Sequence, residues 1–161
     1  MPQMRFKHND PDNFHDKEIT LHDCYAEKII YADGFLRFYL SDGFWVTPYH
    51  EENNLNRTVR TDAAVVDFRI ENIDDIILDV FTRNIFKKTK SELWEMNELM
   101  NGINSGKCTI EFIHQYRTFF EQMWQCAIRS EKKPYYRECQ LHLPETEAIF
   151  RWNNLRPDCE W

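Results

Sequence analysis

Apolar and polar positions alternate along most of this chain, and the alternation has a period of two far more often than 3.6. Residues 24–46 read CYAEKIIYADGFLRFYLSDGFWV, with two Asp-Gly pairs, Asp33-Gly34 and Asp42-Gly43, between three runs of β-branched and aromatic residues. A type I′ turn needs positive φ at both central positions, which Asp tolerates and Gly adopts freely. The stretch therefore predicts a three-stranded antiparallel meander. In its middle strand Leu36, Phe38 and Leu40 alternate against Phe35, Arg37 and Tyr39. Pro48 ends the third strand, because proline has no N–H to give a ladder.

The same period returns downstream. Residues 63–70, 76–81, 108–114, 119–129, 135–143 and 148–152 each read as strands. The joints between them are short and polar, which implies antiparallel neighbours. The period lengthens around residues 89–103. Thr89 and Glu92 fit a capping box, and Leu93, Met96, Met100 and Ile103 mark an apolar stripe that Trp94 and Leu99 widen. Gly102 or Gly106 supplies the stop. The expected class is α+β, mainly β: an antiparallel meander sheet, rolled or partly closed into a barrel, with one amphipathic helix (about 89–103) packed on it. Residues 1–17 read as a loosely ordered arm, 50–61 as the longest internal loop and 153–161 as a C-terminal tail.

Composition narrows this picture. The 161 residues, 42% hydrophobic, make one domain, 1–161, able to bury a core without staples. The five cysteines are odd in number and widely spaced, with no CxxC pair, as in a reducing compartment. The sequence has no apolar run long enough to span a bilayer, and no apolar core follows the first residues, so the expected location is the cytoplasm, away from membrane. The net charge is −7 and unevenly placed: residues 1–80 hold 8 Lys and Arg against 16 Asp and Glu. Such a surface repels nucleic acid, so the expected partner is a basic protein.

Candidate chemistry is sparse. Each of the four glycines already has a turn or cap to make, and GxGxxG and GxxxxGK[ST] are absent, so no phosphate cradle or nucleotide cofactor is expected. His22, Cys24, Cys139 and His142 are the right residue types for a zinc site, and His22 and Cys24 would share a strand face roughly 7 Å apart. Cys139 and His142, three apart, point to opposite faces of a regular strand, so the expectation is no metal. Cys24 with His114 or His142 is the nucleophilic version of the same idea. Asp67, Glu71, Asp79 and Glu111 are candidates for paired carboxylates. Phe35, Arg37 and Tyr39, with Tyr116, Arg117 and Phe119, interleave aromatic and basic groups as sheets that stack bases do, but the net charge opposes that use.

The acidic residues carry the preferred reading. Glu92, Glu95 and Glu98 recur at helical spacing as a ridge, and Asp74 and Asp75 in a predicted turn extend it. The chain reads as a non-catalytic interaction module that binds a basic protein. By analogy of class alone, small acidic β-rich chains of this kind include toxin-neutralising immunity proteins. The alternative is a small-molecule binder with Phe38, Trp45, Phe68, Phe112 and Trp124 lining an apolar cavity, and the third reading is an enzyme built on a Cys/His pair.

Overall fold

The structure, a computed structural model, describes residues 4–8, 18–83, 88–146 and 148–161, with residues 4–8 described by their backbone pairing. The described residues form fifteen strands and one α-helix, and all strand pairs are antiparallel. The strands are β1 (Met4–His8), β2 (Ile19–Thr20), β3 (Cys24–Ala26), β4 (Lys28–Ala32), β5 (Phe35–Leu40) and β6 (Trp45–Val46). Then come β7 (Val59–Thr61), β8 (Ala64–Arg69), β9 (Ile77–Arg83) and β10 (Thr89–Trp94). Helix α1 (Met96–Asn104) follows, and β11 (Cys108–Arg117), β12 (Glu121–Ser130), β13 (Tyr136–Pro144), β14 (Ala148–Trp152) and β15 (Leu155–Glu160) complete the chain.

Three open sheets result, in the orders β1-β14-β8-β5-β4, β10-β9-β13-β12-β11-β3 and β15-β7-β6-β2. The mainly β, antiparallel architecture with one packed helix is the one the alternation implies. The five- and six-stranded sheets pack face to face through their apolar parities. Phe38 on β5 meets Phe112 on β11 edge-on at 5.2 Å, and Phe68 on β8 meets Trp124 on β12 at 6.3 Å. Phe44, just before β6 of the third sheet, packs against Phe150 and Trp152 on β14 of the five-stranded sheet at 5.4 and 5.5 Å.

The first Asp-Gly turn forms as its sequence dictates: Asp33 and Gly34 both have positive φ, and Ala32 pairs with Phe35. The second does not make a hairpin. Gly43 donates to Leu40 in a simple turn, and β6 leaves β5 to pair with β2 and β7 in another sheet. β3 lies in yet another sheet, beside β11. The stretch 24–46 is thus a junction of all three sheets, with one true hairpin in it.

Residues 89–94 correct the predicted helix. They form β10, paired with β9 from Thr89 opposite Arg83 to Trp94 opposite Leu78. Thr89 and Glu92 therefore cap nothing, and the helix starts seven residues later, at Met96, behind Glu95, which makes no side-chain cap bond. Met96, Leu99 and Ile103 are its buried face. Its end is a Schellman motif: Lys107 N–H donates to the Gly102 carbonyl and Gly106 N–H to that of Ile103, with Gly106 at φ +72°. Both chain ends also differ from expectation. Residues 4–8 of the arm form β1 against β14, and the tail contains β15, paired with β7, which itself arises inside the predicted loop 50–61. The remainder of the arm, residues 1–3 and 9–17, lies outside the described residues.

Candidate functional site

The Cys/His candidates are held apart. Cys24 starts β3 opposite Phe112, and its thiol donates to the His22 carbonyl at 3.5 Å. His22 is turned away by Asp23, which has positive φ. The His22 ring donates from Nδ1 to the Ile113 carbonyl at 2.5 Å and stacks between His114 and Trp161 at 5.4 and 5.3 Å. That carbonyl is available because a β-bulge at Ile113 interrupts the β11–β12 register. Cys139 is buried opposite Val80 and Cys126, and His142 lies 3.6 Å from Glu121. Among the described residues no three His, Cys, Asp or Glu side chains come together as a metal site. Burial pushes the Cys24 thiol up to about 12, so it stays protonated at neutral pH and makes a poor nucleophile.

The four carboxylate candidates do not face one another across a cleft either. Asp67 is fully buried on β8 between Arg37, at 3.4 Å, and Arg151. Glu111 on β11, in a different sheet, accepts from the Tyr25 hydroxyl and the Arg129 Nε, both at 2.7 Å. That bond from Tyr25, with burial second, pushes the phenol up from its ordinary value. Asp79 accepts from Ser91, and Glu71 is exposed. Asp67 and Glu111 neutralise arginines within the sheets.

The proposed cavity lining is also occupied by itself. Phe38, Phe68, Phe112 and Trp124 interlock edge-on, and Trp45 lies elsewhere, on β6, with Arg60 stacked 4.7 Å above it. The internal space beside Phe68 and Trp124 is about 10 Å³. That is room for a single water, so these side chains are packed core.

The acidic candidates fall differently from the predicted ridge. Glu92 is on β10 and ion-pairs with Lys90 at 2.5 Å, which holds its carboxyl below the usual range. Glu95 sits at the junction of β10 and α1, Glu98 in the first helical turn, and both are exposed. Asp74 and Asp75 lie in a short 3₁₀ turn, Ile73–Asp75, held by Asn72, whose side chain accepts from the Asp74 N–H. The fold brings Asp74 and Glu95 to one groove of about 290 Å³ between that turn, the adjacent ends of β9 and β10, and the start of α1.

Ile77, Leu93 and Trp94 give this groove its apolar wall, and sequence reasoning did not single them out for it. Leu93 is 75% exposed and Ile77 51%. Leu93 reads as part of a helical stripe until residues 89–94 are recognised as a strand, where alternation places it on the face of Thr89 and Ser91. A second surface groove of about 300 Å³ is lined by Phe81, Tyr136 and the mixed charges of Arg83, Arg137 and Glu138, and holds no exposed aliphatic side chain.

Comparison with known proteins adds no family to this geometry: no family model matches the chain, and no match is found among curated proteins or solved structures.

Proposed function

We propose that this protein is a non-catalytic interaction module that receives a basic, extended segment of a partner protein in the groove between the 73–75 turn and the start of α1. One observation carries the reading: two well-exposed aliphatic side chains, Ile77 and Leu93, share a concave surface with the carboxylates of Asp74 and Glu95. Large aliphatic groups left in water at a groove, rimmed by charge of one sign, are the pattern of a docking surface. The apolar wall supplies affinity for an aliphatic anchor, and the acids select lysine or arginine beside it. Asp75 and Glu98 extend the same sign of charge outward. Neither the Cys/His residues nor the carboxylates contribute a reaction in this reading.

An immunity-like inhibitor is one case of such a module; the groove then covers basic surface on the protein it neutralises. Free cysteines throughout and no helix long and apolar enough to cross a membrane among the described residues are compatible with a cytoplasmic site of action.

The test uses a short synthetic peptide alternating lysine with leucine, and its glutamate counterpart. The lysine peptide is expected to bind, more weakly as salt rises. Asp74→Lys with Glu95→Lys is expected to weaken it by roughly a hundredfold, about 1–1.5 kcal/mol for each reversed charge at a half-desolvated rim. Equal binding of both peptides, or binding unchanged in the double variant, contradicts the proposal.

A further inference from the structure

A sheet edge leaves every second backbone N–H and C=O without a strand partner, and stable proteins close such edges in recognisable ways. In this fold the β4 edge is closed by a side chain. Asn104 at the end of α1 accepts from the Ile29 N–H at 2.9 Å and donates to the Ile29 carbonyl at 2.7 Å, as a neighbouring strand would. The β15 edge carries Pro157, which removes a donor. β2 and β3 are only two and three residues long.

β1, the other outer strand of the five-stranded sheet, is five residues long and, like β10, lacks proline and glycine; β10 is the longer of the two. It is the outer strand of the six-stranded sheet, six residues long, without proline or glycine, and five of its residues are exposed. Charge is the remaining defence of an edge, and here its arrangement fails against one particular strand. Lys90 and Glu92 lie two apart on one face, paired at 2.5 Å. A parallel copy in register sets Lys90 on Lys90 and Glu92 on Glu92. An antiparallel copy centred on Ser91 instead sets Lys90 opposite Glu92 on both sides of the centre. The four charges then alternate in sign around a two-fold axis. On the other face Leu93 falls opposite Thr89, and Ser91 falls opposite its own copy. Opposite charges facing across an antiparallel pair stabilise it, whereas like charges facing oppose it.

We infer that β10 is a homodimerisation edge: two copies pair β10 antiparallel about Ser91 and join their six-stranded sheets into one. The self-complementary interface is of the isologous kind that closes into a dimer and stops. The groove shares Leu93 and Trp94 with this edge, but the charges that set the pairing, Lys90 and Glu92, do not line it, and its acids Asp74 and Glu95 lie outside residues 89–94, so reversals at 90 and 92 test the dimer apart from the groove.

Sedimentation velocity from low to high micromolar concentration tests it. The wild-type chain is expected to pass from monomer to dimer across that range. Lys90→Glu and Glu92→Lys are each expected to weaken dimerisation by about tenfold, since each turns two facing opposite pairs into like pairs. The combined swap, Lys90→Glu with Glu92→Lys, restores the alternation and is expected to return within about threefold of wild type. Both side chains are exposed, and circular dichroism verifies that each variant keeps its fold. A wild-type chain that stays monomeric, a dimer indifferent to the single reversals, or a double swap as weak as the singles each overturns the inference.

Discussion

At the scale of single residues, Asp33-Gly34 and Asp42-Gly43 are the same dipeptide in similar apolar surroundings, yet only the first reverses the chain into a hairpin. Among the described non-glycine residues only Asp23 and Asp33 have positive φ, so Asp42 does not complete a type I′ turn. What decides is contact with a distant segment. Gly43, at φ +72°, lies so close to residues 61–62 that an added Cβ would come within 2.2 Å of Thr61 Oγ1 and 2.3 Å of the Asp62 carbonyl. Phe44 N–H then donates to Thr61 Oγ1 at 3.0 Å. Gly43→Ala is expected to cost about 3 kcal/mol or more in urea unfolding, from strained φ and overlap together. Gly106 has the same φ but nothing within 4 Å of its Cβ position. There the same substitution is expected to cost only about 1–2 kcal/mol. Equal losses at the two sites contradict this account of Gly43.

Cys24 gives a second prediction at this scale. Burial raises its thiol from 9.0 to about 12, so the unfolded chain gives up this proton at lower pH than the folded one. Stability from the neutral thiol is therefore full below pH 9 and declines as pH climbs towards 12. Cys24→Ala is expected to flatten that decline by up to one proton's slope in unfolding free energy against pH, whatever it costs at neutral pH. An unchanged slope between pH 9 and 12 contradicts the assignment.

At the scale of elements, the long alternating runs were legible because period-two burial follows from the pleat itself. β8, β11, β13 and β14 lie where their patterns place them. β10 and α1 were not separable by pattern. Leu93, Met96, Met100 and Ile103 have helical spacing, but only Met96 and Ile103 of these are buried on α1. The strand state of residues 89–94 comes from pairing with β9, a contact that local propensity does not encode. β1 and β15 are short alternating runs, MRFKH and LRPDCE, next to charged chain ends and, in β15, interrupted by Pro157; pairing with β14 and β7 is what makes them strands.

Asn104 belongs to this scale too, because its amide substitutes for a strand along the β4 edge. Asn104→Ala leaves the Ile29 N–H and carbonyl without these partners and is expected to destabilise the fold by about 2 kcal/mol. Asn104→Asp keeps the acceptor but loses the donor, and is expected to fall between the two in urea denaturation. A loss under about 0.5 kcal/mol for the alanine variant would show that water replaces the amide at no cost.

At the scale of the whole molecule, the chain spends its few special residues on joining three sheets. The stretch 24–46 contributes to every sheet, and its apolar side chains fill the space between them. Aromatic side chains that could have lined a ligand cavity instead interlock, and carboxylates that could have worked in pairs neutralise arginines in separate sheets. The acidic character visible in the sequence remains on the surface, but its concentration at one groove depends on residues 21 apart in the chain, Asp74 and Glu95, meeting through the β9–β10 pair. Composition supplied the sign of the charge; tertiary structure supplied the apolar wall beside it.

Amide chemical-shift mapping of the isotope-labelled protein, titrated with the lysine–leucine peptide, tests the central claim most directly. The groove reading predicts saturable shifts concentrated at residues 73–78 and 93–97, abolished by Asp74→Lys with Glu95→Lys. Shifts centred on another face, or none at peptide concentrations in the millimolar range, would contradict it.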